Sequence, residues 1–114
     1  MNQYETVFIL DPMLSQEGTK DKVAKFKQLI QDDSGEIINQ EEWGVKKMAY
    51  SIKYKTSGFY LLMEFKADPV FIKKLDLAFR RDEQVIRHLI IKLDKNSIAY
   101  SEKRRNAKNS DDQN

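Results

Sequence analysis

The 114-residue chain has no cysteine, one histidine, two prolines and four glycines. Without cysteine there are no disulfides, thiol nucleophiles or thiolate metal sites. The glycines, at 18, 35, 44 and 58, are too dispersed for a phosphate-cradling loop or a dinucleotide fingerprint. The histidine, His88, sits inside an apolar run. Nucleophilic catalysis needs a serine or threonine beside an activating base, and nothing in the order of residues nominates one. Metal ligation needs clustered ligands, whereas Asp32-Asp33 and Glu41-Glu42 are adjacent pairs that read as solvated surface. The expectation is therefore a non-enzyme with no cofactor and no small-molecule substrate. No apolar run approaches the length of a membrane span. The start, MNQYETVFILDP, carries neither a basic leader nor a small-residue cleavage site, so a cytoplasmic protein with no membrane partner is expected.

Charge of one sign is also missing, locally. Residues 43–60, WGVKKMAYSIKYKTSGFY, hold four lysines, three tyrosines and a tryptophan but no acid. The net charge of +2 conceals an asymmetry: nine acids and four lysines over residues 1–42, against sixteen Lys/Arg and nine acids over residues 43–114. A basic section on a nearly neutral chain points to a polyanion-facing surface. Lysines scattered for solubility are the alternative.

What is present is a clear alternation of strand and helix signals. QYETVFIL (3–10) is β-rich and is closed by Asp11-Pro12 as a turn. Ser15 is a natural N-cap for a helix carrying Val23, Phe26, Leu29 and Ile30 on one stripe, ending near Asp33 with Gly35 in the reversal. A long extended section follows, with Gly44 placed for a bulge. From Met48 it alternates, with Met48, Tyr50, Ile52 and Tyr54 on one face, and Thr56-Ser57-Gly58 reads as the hairpin loop. FYLLMEF (59–65) returns as a strand. Asp68-Pro69 is an N-cap with proline at the first helical position, opening a helix with Ile72, Leu75, Ala78 and Phe79 buried. Residues 85–93, VIRHLIIKL, form the last strand. From Asp94 the periodicity stops, and residues 94–114 read as a polar, basic, mobile tail on a domain spanning 1–93.

The order β-α-β-β-α-β specifies an α+β, ferredoxin-like domain: a four-stranded antiparallel sheet with both helices on one face. VFIL, FYLL and VIRHLII are apolar on both faces, where a wetted strand should alternate. The face without helices is thus expected to meet a partner. Two relatives by topology fit badly. Ferredoxin-like acylphosphatases place an arginine after the first strand, and here no arginine precedes Arg80. The RNA-recognition-motif signature aligns best on SGFYLLME, where Ser57, Leu61 and Glu64 replace its basic and aromatic positions.

The stretch EWGVKKMAYSI (42–52) resembles the signature of the bacterial small-subunit ribosomal protein family numbered six: a glycine, a basic pair, an apolar residue, then Ala-Tyr-x-Ile. Gly44, Lys46, Lys47, Met48, Ala49, Tyr50 and Ile52 fit it. Tyr4-Glu5, the aromatic third strand and RRDEQVIRHLIIK extend the resemblance over residues 2–93; Ser51 departs from it, standing where the family often has proline. The resemblance implies a structural protein that binds the central domain of small-subunit ribosomal RNA cooperatively with the ribosomal protein numbered eighteen. The rival is a ferredoxin-like small-molecule regulatory or dimerisation domain.

Residue by residue, Lys46 and Lys47 are the first choices for phosphate contact, on opposite faces unless a bulge reorients them. Lys53 and Lys55 extend the same basic stretch. Arg87 interrupts an apolar strand, where burial without a partner is costly, so a phosphate or protein partner is expected for it, with Lys92 on the same strand. Tyr4 is a stacking candidate with core packing as an equal reading. Arg80 and Arg81 either cap their helix or touch RNA. Trp43, Tyr50, Tyr60 and Leu62 are assigned to a partner-protein surface. Lys103, Arg104 and Arg105 form a basic cluster in the tail, ordering on RNA or remaining solvated.

Overall fold

A computed structural model describes residues 1–112, and their side chains through Asn106. Its elements run β1 (Asn2–Leu10), α1 (Gln16–Asp32), β2 (Glu36–Ile52), β3 (Lys55–Ala67), α2 (Pro69–Arg81), β4 (Val85–Lys92) and α3 (Lys95–Asp112). The four strands form one antiparallel sheet in the order β2-β3-β1-β4. The ferredoxin-like arrangement expected from the sequence is the one observed, with a third helix added after β4.

Local chemistry accounts for the helix boundaries. The Ser15 side chain accepts from the Gly18 amide, and Asp68 accepts from the Val70 amide with Pro69 at the start of α2. At the end of α1, Ser34 (φ 65°) takes the left-handed position, and the Ser34 and Gly35 amides donate to Gln31 and Ile30 carbonyls. That pair of reversed bonds satisfies the last-turn acceptors of the helix.

Side-chain alternation on the strands sends one set of residues under the helices. Tyr4, Phe8 and Leu10 of β1 meet Leu61, Met63 and Phe65 of β3, and α1 and α2 close over them with Val23, Phe26, Ile30, Phe71, Leu75 and Phe79. Phe8, Phe26 and Phe79 form an aromatic trio with ring centroids 4.5 to 5.7 Å apart. Each such buried ring contributes roughly 1.5–3 kcal/mol. Phe71, whose spacing of four from Leu75 and eight from Phe79 marks it as part of the same stripe, is buried, while Ile72 and Ala78 are only partly so. Asp82 ties the helical layer together: its carboxylate takes Lys22 at 2.7 Å and Lys25 at 3.3 Å from α1, and accepts from the Gln84 amide ahead of β4.

Two elements depart from the sequence reading. The hairpin turn falls at Lys53 and Tyr54, not at Thr56-Ser57-Gly58; Ile52 pairs with Lys55, and both turn residues have positive φ (49° and 64°). Asparagine and glycine usually supply such a turn, so a Lys-Tyr pair left no signal for it. The chain beyond Leu93, expected to lack regular structure, forms α3 where it is described, started by the Asp94 carboxylate accepting from the Ser97 amide at 2.7 Å. That hydrogen bond holds the exposed Asp94 carboxyl below its ordinary range. Residues 113–114 of the expected tail lie outside the described residues.

Candidate nucleic-acid and partner interface

β2 and β3 are much longer than β4, so their hairpin extends past the rest of the sheet as an arm. The arm is shaped by irregularities in β2. Between Glu42↔Leu61 and Gly44↔Tyr60 the register slips by one, leaving Trp43 unpaired, and Gly44 has φ 82°, which favours glycine. A second, larger slip follows between Lys47↔Ser57 and Ile52↔Lys55. These slips curl the arm over the sheet face that carries no α1 or α2. Met48 and Ile52 there pack with Ile9, Ile86 and Tyr60 as a second small core. Gly58 permits the approach, since a Cβ at that position would fall 2.2 Å from Ile9 Cγ2.

Lys46 and Lys47 pair with Gly58 and Ser57 in consecutive register, so they point to opposite sides of the arm. Lys46 shares the side of Gly58 and Ile9, and its ammonium lies 5.3 Å from the Trp43 ring centroid. Both lysines are exposed. Lys53 is exposed at the tip and donates to the Val85 carbonyl. Arg87, on β4, is exposed rather than buried; it hydrogen-bonds the Tyr50 hydroxyl and lies against the Tyr50 ring. Among the described residues none of Lys46, Lys47, Lys53 and Arg87 forms a salt bridge. The structure therefore brings Lys46, Lys53, Tyr50 and Arg87 onto the curled arm and the strand it reaches.

Other expected site residues fall elsewhere. Tyr4 is a core residue, 5% exposed and stacked on Phe65, because its position on β1 alternates with Phe8 onto the helical side. Leu62 is fully buried, and Tyr60 is half-buried beneath the arm. Lys55 is not free of acids, since its ammonium lies 3.6 Å from Asp11. Lys92 pairs with Tyr4 and Arg87 with Ile9, so the two cations occupy opposite faces of β4. Arg80 is bound to Asp76 at 3.0 Å, and Asp76 also holds His88 at 2.6 Å while His88 stacks on Phe79. His88 is a structural residue here. Arg81 is exposed in the last turn of α2.

Two features escaped the sequence reading. Tyr54, counted there as a strand residue, stands at the arm tip with its side chain entirely exposed and φ 64°. The other lies on the helix-free face at the end opposite the arm. Glu5, Glu41 and Glu64, from three neighbouring strands, share that face and meet α3. Arg105 reaches Glu64 at 2.7 Å, and Arg104 reaches Glu41 at 3.4 Å and Glu5 at 3.8 Å. Burial pushes the Glu5 carboxyl above its ordinary value; Arg104 opposes the shift, and Glu64 and Glu41 add to it. Two of the three cations of the tail cluster, Arg104 and Arg105, are thus occupied by acids of the same chain, through long-range contacts that sequence order does not reveal.

Comparison with known proteins gives one consistent result. The sequence model of the family described as Ribosomal protein S6 matches residues 3–92. The small ribosomal subunit protein bS6 of Bacteroides thetaiotaomicron is 57% identical over 108 residues, covering 95% of each chain. That of Christiangramia forsetii is 50% identical, covering 92% of this chain and 94% of its own. The crystal structure of 30S ribosomal protein S6 from Thermotoga maritima superposes with a TM-score of 0.79 at 27% identity, over 94% of this chain and 97% of that one.

Proposed function

The chain belongs to the ribosomal protein S6 family, and from that membership together with the geometry of the arm we infer that it is a non-catalytic structural protein of the small ribosomal subunit, in the cytoplasmic ribosome. Its task in this reading is to bind the central domain of small-subunit ribosomal RNA jointly with the ribosomal protein numbered eighteen. The observation that carries the RNA half is the arm itself: Lys46, Lys47 and Lys53 are exposed beside Trp43, Tyr50 and Tyr54, in a stretch without a single acid. Ammonium groups on a rigid strand supply affinity and position through phosphates, and exposed rings supply stacking surfaces. Arg87, set against Tyr50, presents a guanidinium next to the same stretch.

A scaffold mechanism follows. The fold fixes cations at set spacings, the RNA orders around them, and a partner protein bound alongside shares the ordering cost, which appears as a coupling free energy between the two binding events. No proton transfer or bond cleavage is asked of any side chain. The test is binding to a central-domain ribosomal RNA fragment across a salt series, with and without the ribosomal protein numbered eighteen. Tight binding in the pair, with log affinity falling several units per log of salt, is the expected result. Salt-insensitive or partner-independent weak binding would remove the scaffold reading, and a stable homodimer without RNA affinity would favour the dimerisation domain instead.

A further inference from the structure

Glu5, Glu41 and Glu64 stand on one sheet face, and the chain fills the space above them with two adjacent arginines of its own helix. We propose that this face is a binding site for paired guanidinium groups, occupied by α3 in the free chain, and that an arginine-bearing segment of a protein partner binds there by displacing α3. The proposal rests on the ribosomal reading only for the existence of a protein partner; the site stands on its own geometry.

The site has more to offer than α3 uses. Glu64 is fully buried, and its Oε2 accepts from both Gln3, at 2.5 Å, and Arg105, at 2.7 Å, yet its Oε1 is buried with no hydrogen-bond partner. The guanidinium of Arg104 is held at 3.4 and 3.8 Å, ion-pair distances, and its Nε and Nη2 are buried without a hydrogen bond. A well-matched fork would pair with carboxylates at about 2.7–2.9 Å. Arg105 meets that distance through a single bond and Arg104 does not meet it, so the occupant is chemically right and only half matched.

Among the described side chains its hold is mainly electrostatic, with Ile98 half-buried. On α3 only Ser101 is buried among the described side chains, and Tyr100 is 69% exposed. An element with so little apolar burial opens at low free-energy cost. Release would uncover three carboxylates next to exposed Leu89 and Ile91 of β4, a surface suited to a basic amphipathic segment and hostile to RNA. The same chain then separates its partners by charge: phosphates at the lysine-rich arm, guanidinium groups at the opposite end of the face.

The test uses the full chain and a fluorescent, alanine-rich helical peptide carrying two adjacent arginines, with a lysine twin. Removing the internal competitor with Arg104→Ala plus Arg105→Ala should tighten arginine-peptide binding by about tenfold or more, because apparent affinity scales with the open fraction. Adding Glu41→Gln, at a position on the edge strand, should reverse that gain. The lysine twin should bind more weakly, since an ammonium lacks the planar fork. Adding the arginine peptide to the parent chain should speed amide exchange in α3. Equal affinity of parent and double variant, equal binding of the lysine twin, or binding indifferent to Glu41→Gln would each overturn the proposal. If the alanine variant loses its circular dichroism, Arg104→Lys with Arg105→Lys keeps the charge and asks the same question. A chain that passes this test yet ignores ribosomal RNA would refute the proposed function and leave this site standing; the reverse outcome would do the opposite.

Discussion

Arg105 donates from Nη1 to Oε2 of Glu64 at 2.7 Å, joining α3 to the C-terminal half of β3 through a carboxylate that solvent does not reach. A buried ion pair adds little net stability, but breaking one by deleting a partner leaves a desolvated charge behind. Arg105→Ala should therefore destabilise the chain, and by less than the ~3–5 kcal/mol seen when such a charge is trapped. α3 is shallowly packed, so it lifts and water reaches Glu64. A loss of about 1–3 kcal/mol in denaturant unfolding is expected, with faster amide exchange confined to α3. Loss of protection spread evenly through β1 and β3 would show instead that the pair supports the whole sheet.

Acid should weaken the fold through Asp82. Burial alone would raise its pKa, but hydrogen bonds from Lys22, the Gln84 amide and Lys25, with the charge of Lys22, outweigh it and hold the carboxyl below its usual 3.8. A depressed folded pKa means stability present above the unfolded value and lost as pH falls through the folded one. Asp82→Asn should cost about 1–2 kcal/mol at neutral pH and flatten the decline below about pH 4. Glu5 acts in the opposite sense. Its raised pKa makes the native chain bind the extra proton above 4.5, so its share of stability falls as pH climbs through that window. Thermal unfolding followed from pH 2.5 to 7 in the parent, Asp82→Asn and Glu5→Gln chains separates the two limbs.

The opposite orientations of Lys46 and Lys47 make a sharper statement about RNA than their adjacency does. One RNA surface can engage only one side of the arm closely, so replacing both with alanine should reduce the salt slope by about one phosphate equivalent, roughly 0.7–0.9 units, not two. The single variants should divide unequally. Lys46, on the side of Ile9 and Arg87 and beside Trp43, is expected to carry most of the effect. Equal losses from the two single variants would mean that RNA wraps the arm.

What the sequence disclosed and what it hid follow a physical divide. Caps at Ser15 and Asp68, the stripe of α1, Leu75 and Phe79 of α2 and the bulge at Gly44 are local, and each was legible from a few consecutive residues. The resemblance located the Gly44–Ile52 stretch, but not which side of the sheet each residue would face. Tyr4 went to the core because β1 alternates, placing it with Phe8 beneath the helices, and Leu62 is fully buried on the opposite face. Long-range ion pairs were invisible: Arg104 and Arg105 lie 40 or more residues from Glu64, Glu41 and Glu5, and nothing in a polar C-terminal run announces its acids. Asp94, with Ser97 three residues on, was the one overlooked signal that a helix starts there.

Tyr54 sets stability against function at a single position. Its φ of 64° costs a non-glycine residue about 1 kcal/mol, and its fully exposed ring returns nothing to the fold. Tyr54→Gly should accordingly raise the unfolding free energy by about 1 kcal/mol, since the turn conformation is one glycine adopts freely. If the ring is a stacking platform, the same substitution should weaken binding to the ribosomal RNA fragment by about 1–3 kcal/mol. Tyr54→Asn tolerates the same backbone without the ring, and it separates loss of stacking from added flexibility at the tip. A more stable chain with unchanged RNA affinity would assign the strain to the hairpin alone. A more stable chain with weakened affinity would mean that the strained turn is kept for the aromatic surface it presents.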